Sequence, residues 1–118
     1  MSYYEIQPLP AHIYRKALEH NITGIRLNFE GGSDEGNLEI DLESDIDLPP
    51  IIYEELEDKI QSWADEVYEF SGAGEGIPYG FKVFYNFTTN KVTLTEWQYE
   101  YAELDQQKID LSLDTNEH

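Results

Sequence analysis

Carboxylates dominate whatever chemistry this chain does: 25 Asp and Glu stand against 7 Lys and Arg, a net charge of −18 at neutral pH. They are unevenly placed. Residues 30–69 hold fifteen acids and one base, Lys59, whereas residues 1–29 hold two acids and three bases. Two rows stand out inside that block. Glu39, Asp41 and Glu43 alternate with Leu38, Ile40 and Leu42, which sets three carboxylates about 6.8 Å apart on one side of a strand. Glu54, Asp58, Asp65 and Glu69 recur at helical spacing, so they line one side of a helix. Such a row is similar to the run of phosphates along one nucleic-acid strand, and it can meet Lys and Arg on a partner built to hold a polyanion. The plain alternative is a solvated face, for which acids also serve. Against that stands self-repulsion: a net −14 within forty folded residues opposes compaction, and solubility needs only a fraction of it.

Other chemistries find little footing. Gly72-Ala73-Gly74-Glu75-Gly76 invites a phosphate-loop reading. A phosphate loop needs open amides, a cation and a following helix, whereas here an acid sits inside the loop and a strand follows. Asp34 and Glu35 argue the same way in the loop Gly31 to Gly36. Asp41, Glu43, Asp45 and Asp47 alternate, yet no frame supplies the Gly and Glu of a calcium loop. His12, His20 and His118 have no metal-ligand spacing, and there is no Cys for thiolates or disulfides. No nucleophile motif is present. The expectation is a protein without catalytic residues, cofactor or metal site.

The elements that must position the two rows follow from apolar periodicity. Residues 10–20 read as a short helix that Asn21 can end. Ile25, Leu27 and Phe29 read as a half-buried strand, joined through a Gly-rich loop to the strand of Leu38, Ile40 and Leu42. Pro49-Pro50 starts a helix over 51–70 whose Ile52, Leu56, Ile60, Trp63, Ala64, Val67 and Phe70 share one side. After a second Gly-rich loop, residues 81–87 and 91–101 read as strands, with a bulge expected near Thr95-Glu96 because the apolar register changes before Trp97. Residues 102–107 read as linker, and Ile109, Leu111 and Leu113 as a short edge strand. The expected fold is one α+β domain over 1–114, in the order α-β-β-α-β-β. Its antiparallel sheet of four or five strands packs on the long helix, with 115–118 frayed. Trp97 is expected in the core; Tyr99 and Tyr101 fit either core or an aromatic contact patch.

Charge excludes further classes. Phosphates need cations, so neither direct nucleic-acid binding nor docking on an anionic membrane is expected. No run of 18 apolar residues exists, and Met1 to Glu5 lacks the features of a secretory signal, so the expected compartment is the cytosol. Two stretches, Phe29-Glu30-Gly31-Gly32-Ser33-Asp34-Glu35-Gly36 and Tyr79-Gly80-Phe81-Lys82-Val83 leading into Asn90-Lys91-Val92-Thr93-Leu94, resemble a domain family of unknown function made of short acidic proteins from bacteria and mobile elements. The resemblance covers about residues 24–101 and implies no activity. In charge and size the chain is also similar to phage-encoded DNA-mimic inhibitors of host defence, such as anti-restriction and anti-CRISPR proteins. The expected function is therefore a non-enzymatic inhibitor. Glu39, Asp41, Glu43, Glu54, Asp58, Asp65 and Glu69 would occupy a basic, nucleic-acid-binding groove on a partner protein. The alternatives are an acidic immunity or antitoxin protein that neutralises a basic toxin, and an acidic host protein with a structural or small-molecule role.

Overall fold

Alternation along four of the five strands of the main sheet gives it one apolar and one polar side, and both helices cover the apolar side. The structure is a computed structural model that describes residues 4–32, 36–74, 76–98 and 102–115, with residues 102–105 described by backbone alone. In chain order the elements are β1 (Leu9–Pro10), α1 (Ala11–Glu19), β2 (Ile22–Gly31), β3 (Asn37–Ser44), α2 (Pro50–Tyr68), β4 (Tyr79–Asn86), β5 (Lys91–Gln98), β6 (Ala102–Asp110) and β7 (Leu113–Asp114). The main sheet runs β3-β2-β4-β5-β6, and every neighbouring pair is antiparallel. β1 and β7 form a separate two-residue parallel pair. The expected α+β architecture is what the chain adopts.

Register explains the one-sided core. Leu27 lies opposite Ile40 on β3 and Val83 on β4, and Val83 lies opposite Leu94 on β5. Ile25, Phe29, Phe81, Tyr85 and Val92 share that side and are buried with Ile13 and Ala17 of α1 and Leu56, Ile60, Ala64 and Tyr68 of α2. Phe29 and Phe81 stack with ring centroids 4.4 Å apart, and Tyr4 stacks on Phe81 at 4.1 Å. A close approach lets β2 and β4 meet there. A Cβ on Gly80 would lie 1.8 Å from the Phe29 carbonyl oxygen, so only glycine fits.

Several expectations need correction. Residues 102–107 are not a linker but most of β6, and the edge strand expected at 109–114 is split between the end of β6 and β7. The bulge lies on β6, not β5. β5 pairs with β4 without a shift, while Glu96 faces Asp105 and Trp97 faces Glu103, which leaves residue 104 as the extra one. The register change read at Leu94–Trp97 is instead an acid on the core side: Glu96 is 3% exposed and accepts a hydrogen bond from the Tyr4 amide at 3.1 Å. Trp97 is 8% exposed but lies on the opposite, helix-free side, across from Gly80. Finally, Phe70 is outside α2. Glu69 takes a left-handed backbone (φ 48°), and Phe70 folds back beside Phe29 and Phe81 while Tyr68 fills the helix's last core position. Tyr99, Tyr101 and residues 116–118 lie outside the described residues.

A closed hydrogen-bond ring ties the N-terminal segment to this core. The Tyr85 hydroxyl donates to the Gln7 carbonyl (2.8 Å), the Gln7 amide donates to the Tyr68 hydroxyl (3.1 Å), and the two hydroxyls lie 2.5 Å apart. Tyr85 has spent its one proton on a carbonyl, so Tyr68 is the donor between them. Burial raises the pKa of Tyr68 and pushes that of Tyr85 well above the ordinary tyrosine value. Both stay neutral in the fold, so the stability they contribute is complete below about pH 10 and is lost as pH rises beyond it. Urea midpoints should hold level to about pH 9 and fall from about pH 10 upward. Tyr85→Phe should flatten that fall and lower stability at neutral pH by about 1–3 kcal/mol; a variant with the wild-type alkaline slope would contradict the ring. Position on α2 gives a second expectation. Ile60 is fully buried, whereas Trp63 is half-buried at the flank of the stripe rather than at its centre. Thermal melts should show no cooperative transition for Ile60→Asp and a lowered but cooperative one for Trp63→Asp.

Candidate interaction surface

The two predicted rows are both at the surface, but they look in opposite directions. α2 starts where Pro49 caps it and Pro50 occupies its first turn, positions where a missing amide costs nothing. Its apolar stripe is pinned to the sheet, so Glu54, Asp58 and Asp65 point outward and are exposed, with exposed Glu69 at the cap beyond the last turn. At 1.5 Å per residue the row is about 22 Å long. Glu39, Asp41 and Glu43 project from the helix-free side of the sheet, because Asp41 shares its row with Arg26 and Phe84. The sheet itself therefore separates the strand row from the helix row.

α2 approaches the strand row at the β3 edge. There Glu57 and Gln61 of α2 line one shallow depression of about 330 Å³ with Glu39 and Asp41. Tyr53 holds this edge in place. Its hydroxyl accepts from the Leu42 amide (3.4 Å) and donates to the Ile40 carbonyl (3.2 Å), as a neighbouring strand would. The middle of the edge is thereby closed to strand addition. Glu57 and Tyr53 were missed from sequence. Glu57 flanks the wheel rather than lying opposite the stripe, and nothing local marks a tyrosine as an edge plug.

Glu43 does not belong with the free carboxylates. The Arg26 guanidinium lies 2.8 Å from it and 3.8 Å above the Phe84 ring centre. Lys16 pairs with Glu55, and Lys91 with Asp110, whose carboxyl is held below the usual range by the hydrogen bond from that ammonium and by its charge. Glu39, Asp41, Glu54, Glu57, Asp58, Asp65 and Glu69 make no ion pair among the described residues. Among those residues no three His, Asp or Glu are grouped to hold a metal ion, and no helix is long and apolar enough to cross a membrane.

The glycine loops pack on each other. The Gly32 amide donates to the Gly72 carbonyl (2.8 Å) and the Gly76 amide to the Gly32 carbonyl (2.5 Å). Amides that a phosphate would need are thus already used. Gly32 has φ 126°, and a Cβ there would meet the Ile77 carbonyl oxygen at 2.3 Å.

The charges on α2 work against the helix that carries them. It has no base in its last turn and no acid in its first, although the macrodipole favours the reverse. Glu54 and Asp58 are a like-charged i,i+4 pair, which costs about 0.2–0.5 kcal/mol. Asp65→Lys should therefore stabilise the fold by about 0.5–1 kcal/mol in urea titrations. Raising salt from about 20 to 500 mM should raise the wild-type melting temperature; a fall with salt would mean that the carboxylates are mostly paired. No family model matches this chain, and neither a curated protein nor a solved structure matches it, so the reading of its function rests on this geometry.

Proposed function

We propose that this is a non-enzymatic acidic interaction protein of the cytosol. Its α2 ridge occupies a basic, nucleic-acid-binding groove on a partner protein and blocks it, as a DNA-mimic anti-defence protein of a phage or mobile element would. The observation that carries this reading is the line Glu54, Asp58, Asp65 and Glu69. It is exposed, free of ion pairs among the described residues and mounted on a helix held by a buried stripe. A convex ridge about 22 Å long suits a concave groove that holds a polyanion. Glu57 extends it around the β3 edge to Glu39 and Asp41, whereas Glu43 is left to Arg26. Because the row is rigid, its carboxylates meet a partner's cations without the ordering loss of an acidic tail. Attraction over the whole ridge speeds encounter and weakens with salt.

Single neutralisations should weaken binding less than about fivefold, since an exposed pair contributes about 0.2–1 kcal/mol. The quadruple variant Glu54→Lys, Asp58→Lys, Asp65→Lys, Glu69→Lys should keep the fold and lose binding. The measurement is competition: wild type should release DNA or RNA from a captured target, and the quadruple variant should not. Equal displacement by both would reduce the ridge to a solvated face.

A further inference from the structure

Beside the acidic ridge, one flank of α2 lines an open groove of about 600 Å³ together with Pro10 of β1, His12 of α1 and Asp114 of β7. Trp63, Val67 and Pro10 give it apolar lining, and Asp58, Glu66 and Asp114 supply carboxylates. Lys59 and His12 also line it, and its three acids against one lysine give the walls a formal excess of negative charge. Trp63 is only half-buried: its ring meets Tyr68 and Tyr85 edge-on, at centroid distances of 6.1 and 5.8 Å, and the rest of it lines the groove. An indole beside carboxylates suits a planar cation. A planar cation stacks on the ring while its N–H groups reach the acids, and its aliphatic stem covers the apolar lining. Lysine offers the charge without the plane.

We infer that this groove receives an arginine side chain of the basic partner and anchors it on Trp63. The inference rests on the acidic-surface reading and adds to it. The ridge supplies long-range attraction, and the groove supplies one aromatic contact of the sort that concentrates binding energy. Asp58 belongs to both, so the two are continuous. Lys59 is the internal competitor for the same carboxylates.

The test is titration of the full chain with octa-arginine and with octa-lysine, followed through the two tryptophan indole N–H signals, with Trp63→Phe used to assign them. Octa-arginine should move the Trp63 signal and leave that of Trp97 in place, and octa-lysine should move Trp63 less. Ser62 also lines the groove, so Ser62→Arg places the protein's own guanidinium there, whereas Gln61→Arg makes the same charge change on the opposite flank of α2. The first should weaken octa-arginine binding about 2- to 30-fold more than the second, the range a cation–π contact spans. Lys59→Gln should tighten it. Salt-sensitive binding with an unmoved Trp63 signal, or equal loss in Ser62→Arg and Gln61→Arg, would overturn the groove and leave the acidic ridge standing. No binding of either peptide at low salt would overturn the ridge itself.

Discussion

Everything on the surface of this protein depends on burying one side of one sheet. Phe29, Phe81, Val83, Tyr85 and Leu94 form an apolar side that water cannot be allowed to reach, and α2 is the main element available to cover it. Leu56, Ile60 and Ala64 lock α2 in rotation. Once that side of the helix faces inward, Glu54, Asp58 and Asp65 must face outward. The carboxylate row is thus held in a fixed line by a core it does not touch.

Magnitudes explain why the arrangement is tolerated. A fully buried Leu, Ile or Phe contributes about 1.5–3 kcal/mol, and ten of the described core residues of that type are almost wholly inaccessible: Leu9, Ile13, Ile22, Ile25, Leu27, Phe29, Leu56, Ile60, Phe81 and Leu94. Unfavourable charge contacts on α2 cost a few tenths to about 1 kcal/mol each. Each such contact thus costs less than the burial of one core side chain contributes. The N-terminal segment adds a second clamp: Gln7 is held by Tyr68 and Tyr85, and Tyr4 by the Glu96 carboxylate and the Gln107 side chain. That clamp fastens the end of α2 to β4 and keeps the ridge stiff.

How much of this was legible beforehand varied with the length of each periodic signal. α2 and the paired strands β2 and β3 were readable because their apolar residues repeat over many positions. Phe70 misled because helical phase says nothing about where a left-handed residue such as Glu69 ends the helix. β6 was hidden by its polar run Asp105-Gln106-Gln107-Lys108, which alternates too weakly for a strand read without its neighbour. Glu96 looked like a register fault because an acid on a core side is unexpected until the Tyr4 amide that faces it is known. Of the candidate site, the exposure of each carboxylate was readable from periodicity. Their division between two sides of the sheet was not, and neither was the loss of Glu43 to Arg26, since both are set by strand pairing across long sequence separations.

The central claim is that a rigid line of carboxylates draws in a basic partner. Its most direct test is the association rate with an arginine- and lysine-rich peptide, measured by rapid mixing as ionic strength is raised from about 20 to 200 mM. The account predicts that the association rate falls at least about tenfold while the dissociation rate changes little. An association rate indifferent to salt would contradict it.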